Sequence, residues 1–215
     1  MSEDIIEDDY QLSDEEEEPI TAQKVLEILQ NTWLNEKFAP ELLPHQSDIL
    51  DLMLGQIEHM EENISQLDKN DFRYIAHRIE LERIKYIVTS YLRCRIRKIE
   101  TFTRALLEED NQRPADKRRL SDDERKYAEA HMALIKRHFQ QIAIQHMPAN
   151  LQEESAREVV TPNLMSHIFL RANESVPSVV VGMNDEEVDL EAGSLHIMPY
   201  KLASDLLLDG KVQLI

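Results

Sequence analysis

Residues 72–107 read FRYIAHRIELERIKYIVTSYLRCRIRKIETFTRALL, and the stretch 71–108 contains neither Pro nor Gly. Large apolar side chains recur along it: Phe72, Ile75, Ile79, Ile84, Ile87, Val88, Tyr91, Leu92, Ile96, Ile99, Phe102 and Leu106. Their spacing of three and four residues predicts one α-helix, and they are too many for a single narrow stripe. At about 1.5 Å per residue the helix extends for roughly 57 Å, far beyond the average globular helix. It needs cover on more than one side. A core helix of this chain's own bundle and a helix partly covered by partner subunits both satisfy the pattern.

Working outward, Thr21 is placed to cap a first helix through residue 35, with Val25, Leu26, Leu29 and Trp33 on its apolar side. Pro40 and Pro44 then force a compact connection, with Phe38, Leu42 and Leu43 as anchors. A second helix over 47–66 repeats Ile49, Met53, Ile57, Met60 and Ile64, with Ser47 or Asp48 as its cap. Gly55 inside it costs about 1 kcal/mol relative to Ala, which suggests close approach of another helix. Beyond the long helix, 108–120 (EEDNQRPADKRRL) reads as an exposed turn. Ser121 opens SDDE, a capping box with Glu124 at N3, and Ala128, Met132, Ile135, Phe139, Ile142, Ala143 and Met147 describe a fourth helix ending before Pro148. Four helices with short connections make residues 20–147 a helical bundle.

The pattern then changes. Residues 148–165 read as a linker, and 166–215 as a small β-rich domain. Its short β-branched segments are SHIFLRA at 166–172, PSVVVG at 177–182, EEVDL at 186–190 and SLHIMP at 194–199. A short helix over 200–208 stops at Gly210, and KVQLI supplies a last strand. The fold class is thus α+β, mainly α: an N-terminal helical bundle with a long central helix, followed by a small β-rich C-terminal domain. About fifty residues make a marginal domain, so the module is expected to lean on something larger. An apolar chain end is expected to be docked, since free termini fray.

Of 215 residues, 42% are hydrophobic and 31% charged, and only 4 are Gly, a scarcity that long helices tolerate well. The net charge of −18 is uneven: residues 1–18 carry ten Asp or Glu and no Lys or Arg, whereas 69–98 carry nine Lys or Arg against three acids. Residues 1–19 therefore read as a disordered acidic tail. The basic stretch fits an acidic partner, a nucleic-acid backbone or a solvated flank; the negative total opposes tight sequence-independent DNA binding, and direct DNA contact stays open. No apolar run reaches bilayer length, and the acidic N-terminus is unlike a secretory signal, so an intracellular protein without membrane insertion is expected.

The single cysteine, Cys94, excludes an internal disulfide and reads as a buried spectator. Phosphate-loop, CxxC, HExxH and GxSxG patterns are missing. His131 and His138 share a helical face but lack a third ligand, and Glu58, His59, Glu61 and Glu62 read as a wet helix face. No catalytic residue, metal or cofactor is expected.

Five blocks in order, TWLNEKFAPELL at 32–43, GQIEHMEENI at 55–64, RIELERIKYIVTSYLRCRIRKIE at 78–100, HMPANLQ at 146–152 and VQLI at 212–215, closely resemble the Sld-type subunits of the eukaryotic GINS replication complex. The resemblance covers nearly all of the chain beyond the tail. It implies a helical first domain, a β-rich second one, and assembly with three paralogous subunits into a heterotetramer. It further implies association with a Cdc-type helicase cofactor and the Mcm ring, in the nucleus, as a non-catalytic component of the replicative helicase. The alternative is a stand-alone acidic adaptor or scaffold.

For assembly, Trp33, Phe38 and Leu42 are expected to pin the first helices, and the face with Tyr91, Leu92 and Ile96 to continue into a subunit interface. Ordinary core is the competing reading for Trp33 and Tyr91. Arg93, Arg95 and Arg97 are expected to pair with acids at the interface rim, and Leu214 and Ile215 to be buried against a paralogue. By resemblance, Ile5, Ile6, Asp8 and Asp9 are candidates to bind a replication adaptor.

Overall fold

The computed structural model describes residues 22–114, 117–148, 159–180 and 187–215. The acidic tail, and with it Ile5, Ile6, Asp8 and Asp9, lies outside the described residues, as does most of the linker.

Helices α1 (Ala22–Phe38), α2 (Ser47–Ser65), α3 (Phe72–Gln112) and α4 (Asp122–Ile142) form the first half, followed by a 3-10 turn at Ile144–His146. α3 spans 41 residues, about 62 Å at 1.5 Å per residue. It begins where Asp71 accepts the Arg73 N–H, an N-cap. Phe102 departs from helical geometry (φ −113°, ψ 21°) and kinks the helix in its second half. α4 begins with the capping box read from SDDE: Glu124 N–H donates to Ser121 Oγ, and Ser121 N–H donates to Glu124 Oε2. Gln46, not Ser47 or Asp48, is the N-cap residue of α2, without a side-chain bond. The expected close approach at Gly55 is corrected: nothing lies within 4 Å of a Cβ built there.

Two cores lie along α3. Its first half packs Leu81, Ile84, Ile87 and Val88 against Val25 and Leu29 of α1 and Met53 and Ile57 of α2. Its second half packs Ile99 and Leu106 against Leu42, Leu120 and Ala128.

The C-terminal module contains β1 (His167–Ala172), β2 (Val176–Val180), β3 (Glu187–Leu190), β4 (Leu195–Pro199), α5 (Tyr200–Leu208) and β5 (Val212–Leu214). β1 is central in an antiparallel sheet of order β4-β1-β5, while β2 and β3 form a separate antiparallel pair with an irregular register between Val176 and Val179. Alternation along β1 buries Ile168, Leu170 and Ala172 and turns His167, Phe169 and Arg171 outward. α5 ends in a Schellman motif, with Lys211 N–H bonded to Leu206 O, Gly210 N–H to Leu207 O, and Gly210 at φ 75°.

The module leans on the bundle of its own chain. Ala39 is part of its core, with Leu43 packed against it. Asn35 Oδ1 accepts the Leu214 N–H at 2.8 Å, and Gln213 Nε2 donates to Asn31 Oδ1 at 2.8 Å, so α1 supplies partners to the last strand.

Candidate assembly surface

The chemistry inside the bundle begins with charges set on apolar stripes. On α1 the heptad step from Leu29 lands on Glu36, and on α3 the row Tyr91, Arg95, Ile99 carries an arginine. Both are buried, and they meet: Arg95 Nη1 donates to Glu36 Oε2 at 3.1 Å. Arg95 also donates through Nε and Nη2 to the two oxygens of Glu124, at 2.6 and 2.8 Å, through Nη1 to the Leu43 carbonyl and through Nη2 to the Arg119 carbonyl. Lys98 reaches Glu36 Oε1 at 2.6 Å, the Glu36 carbonyl and the Glu41 carbonyl. Two cations on α3 thus clamp the end of α1, the connection to α2 and the first turn of α4.

Burial opposes the charge on Arg95, but the Glu124 hydrogen bonds and neighbouring negative charges outweigh it and raise its pKa. For Glu124, burial raises and Arg95 lowers, and the carboxyl ends below its ordinary value. Burial pulls the Lys98 ammonium down. Tyr91 lies beside the cluster, its ring centroid 5.7 Å from the Arg95 guanidinium carbon. Its hydroxyl is buried with no hydrogen-bond partner among the described residues, and burial pushes its pKa up to about 12.

The expectation that Arg95 pairs at an interface rim is therefore corrected. At 1% exposure it is interior, because its planar fork fills a site built from four segments of its own chain. Arg93 and Arg97 remain exposed. Tyr91 is core, whereas Leu92 and Ile96 stand outside. Leu42 is buried; Trp33 is half-buried, its Nε1 donating to Ser90 Oγ at 2.9 Å and its ring meeting Tyr86 edge-on. Phe38 does not pin the bundle: it is 41% exposed, with the Lys37 ammonium over its ring. Leu214 is buried within its own chain, and Ile215, expected to be buried against a paralogue, is exposed in the single chain. Sequence reasoning missed Asn31, Asn35, Glu36, Glu41 and Tyr200. The signal for Glu36 was present, as a charge in phase with an apolar stripe.

What the chain leaves uncovered is on the other side of α3. Phe72, Ile75, Ile79 and Tyr86 fall within about 60° of one another around the helix axis, opposite the buried row of Leu81, Ile84 and Val88. They are 79%, 50%, 65% and 65% exposed. A solvated flank would not carry four large apolar side chains in phase. The outer face of the β4-β1-β5 sheet repeats the theme, with Phe169, Leu195 and Ile197 exposed together. Among the described residues no group of three or more His, Cys, Asp or Glu could hold a metal ion, and no helix is long and apolar enough to cross a membrane.

Two family profiles match these two halves: "GINS complex protein helical bundle domain" over residues 48–143 and "DNA replication complex GINS protein SLD5 C-terminus" over 162–215. The DNA replication complex GINS protein SLD5 of Rattus norvegicus is 42% identical over 207 residues, covering 93% of either chain. The chain belongs to the GINS SLD5 family. The member from Homo sapiens is 40% identical over 207 residues, again 93% of both chains. That from Schizosaccharomyces pombe is 30% identical over 198 residues, 88% of this chain and 91% of the relative. Membership of this SLD5 family thus spans the bundle and the β-rich module alike.

Proposed function

We infer that this chain is a structural subunit of a heterotetrameric GINS complex, joined to three paralogous subunits, and that it stabilises the replicative DNA helicase without catalysing a reaction itself. The observation that carries this reading is the exposed row Phe72, Ile75, Ile79 and Tyr86 on a helix whose opposite face is already filled. Family membership supports the other GINS subunits as its partners. The finer reading adds contacts with a Cdc-type helicase cofactor and the Mcm ring, residence in the nucleus, and an adaptor bound through the acidic tail around Ile5, Ile6, Asp8 and Asp9. Leu92 and Ile96, also exposed on α3 but about 90–130° around its axis from the Phe72–Tyr86 row, add a second face to the proposed interface.

The test is co-expression with the three paralogous subunits and gel filtration of the product. A stoichiometric complex is expected, and Ile75→Asp with Ile79→Asp is expected to release the chain from it while leaving its helical circular dichroism intact. A chain that remains monodisperse and alone beside its paralogues would overturn the subunit reading in favour of a free-standing acidic adaptor.

A further inference from the structure

On α3, Tyr86, Ser90, Arg93 and Arg97 stand at i, i+4, i+7 and i+11 and fall within about 60° of one another around the helix axis. Trp33 Nε1 donates to Ser90 Oγ, which brings one edge of α1 against this row. One turn on, the Lys37 ammonium lies 5.3 Å from the Trp33 ring and 5.2 Å from that of Phe38. The α1/α3 seam thus carries three exposed cations, Lys37, Arg93 and Arg97, beside Trp33, Phe38 and Tyr86. None of the three cations has a carboxylate partner among the described residues. The acids nearest Lys37 in sequence are committed elsewhere, Glu36 to Arg95 and Lys98, and Glu41 to Arg119. Glu100, one turn beyond Arg97, keeps its charge but turns toward Tyr127 of α4. Between Tyr86 and Arg97 the row holds no acid, so the seam has an excess of positive charge in a chain of net charge −18.

We propose that residues 3–12 of the same chain dock in this α1/α3 seam, an autoinhibitory contact that holds the acidic tail on its own bundle. Residues 3–12 read EDIIEDDYQL, five acids without a cation, interleaved with Ile5, Ile6, Tyr10 and Leu12. Lys37, Arg93 and Arg97 match the carboxylates, and the rings of Trp33, Phe38 and Tyr86 match the apolar side chains. The acids at 14–18 bring no apolar residue with them. Chain length allows the contact: Trp33 and Phe38 lie about 17 and 24 Å along α1 from Ala22. The nine residues 13–21 span about 30 Å when extended, and the like charges at 14–18 favour extension. Covalent linkage gives the segment a local concentration of roughly millimolar, which favours this tail over that of a second copy. A nucleic-acid strand has the right sign, but the negative total of the chain repels it. Seated in the seam, Ile5, Ile6, Asp8 and Asp9 are withheld from any other binder until it displaces them. The contact belongs to the free chain and stands apart from the subunit reading.

The full chain, purified alone, is made with the photo-crosslinking residue p-benzoylphenylalanine at position 38 and irradiated at low protein concentration, and the attached peptide is sequenced. The expected product has the mass of one chain and joins position 38 to residues 3–12. Attachment to any other segment, to a second copy, to co-purified nucleic acid, or to nothing overturns the proposal. Lys37→Glu with Arg93→Glu and Arg97→Glu, all exposed positions, is expected to lower the yield of that product about tenfold. An unchanged yield overturns the charge match on which the docking rests. Trp33, the single tryptophan, gives a second reading without any crosslinker. Deletion of residues 1–18 should raise its quenching by acrylamide, and the charge-reversed full chain should match the deletion. Equal quenching with and without the tail overturns the docking. Neither readout needs the paralogues: a chain that joins them but shows no tail contact sinks this proposal alone, and a chain that shows the contact but does not join them sinks the subunit reading alone.

Discussion

The Tyr200 hydroxyl, at the start of α5, donates to Glu41 Oε1 at 2.8 Å across 159 residues of sequence, and Arg119 Nη1 donates to the other oxygen of that carboxylate at 2.7 Å. One acid in the α1–α2 connection thus holds both the α3–α4 connection and the β-rich module. Burial, followed by the Glu41 charge, raises the Tyr200 pKa, so the phenol stays a donor throughout the neutral range. Tyr200→Phe keeps the ring in the module core and removes one hydrogen bond to a charged group, a loss of about 1.5–3 kcal/mol. Urea unfolding measures it, and amide exchange should quicken in β1 and β5 before it does in α3. Stability within a few tenths of a kcal/mol of the parent would show that this bond does not couple the two halves.

Arg95 is the larger effect. Arg95→Ala strips Glu124 of its bidentate partner and leaves Glu36 with Lys98 alone, in a site where both Arg95 and Glu36 are buried. Breaking such a buried pair costs about 3–5 kcal/mol. Arg95→Lys keeps the charge but cannot bridge two carboxylates and two carbonyls, so it should recover only part of that loss. The parent's acid limb carries the same signature. The depressed Glu124 carboxyl contributes stability that is present above its unfolded pKa and lost as pH falls through the lower folded value. Denaturation at a series of acid pH values should show a shallower fall in Arg95→Ala than in the parent.

The elements were legible because their signals were local and redundant: apolar spacing and missing Pro or Gly for α3, SDDE for α4, β-branched segments before Gly210 for the module. The Arg95 cluster was not, because a charged side chain on a long helix is ordinarily solvated, and its burial depends on Glu36, Leu43, Arg119 and Glu124 arriving from four other segments. Docking of the module on α1 was hidden for the same reason. Asn31 and Asn35 carry no pattern of their own; they matter because the edge of β5 comes to lie beside them.

Tyr91 offers a test at the other end of the pH scale. Its folded pKa of about 12 lies above the ordinary phenol value of 10.0, so its contribution is fully present below about pH 10 and lost as pH rises toward 12. Tyr91→Phe should flatten that alkaline loss, leaving the share that Tyr200 imposes. At neutral pH the same change removes a buried hydroxyl without a partner among the described residues, and should leave stability unchanged or raise it by about 1 kcal/mol. Thermal melts at pH 7 and pH 10.5 separate the two effects; a loss of more than 1 kcal/mol at pH 7 would mean that the hydroxyl is bonded after all.

The last two residues separate folding from assembly. Leu214 is buried, pairs with Leu170 of β1 and donates its N–H to Asn35, whereas Ile215 is exposed beyond it. Leu214→Asp puts an unpaired carboxylate into the module core, a change of several kcal/mol against a sheet of three short strands, so the module should unfold while α1–α4 keep their helical signal. Ile215→Asp changes only an exposed side chain, and the isolated chain should melt as the parent does. Under the subunit reading, Ile215→Asp should still reduce recovery of the paralogues, and deletion of residues 212–215 should reduce it further by removing β5 altogether. Circular dichroism of each isolated chain, beside gel filtration of each co-expressed complex, gives the comparison. If Ile215→Asp and the deletion both recover the paralogues at the parent's level, the end of the chain acts in folding its own module and not at an interface.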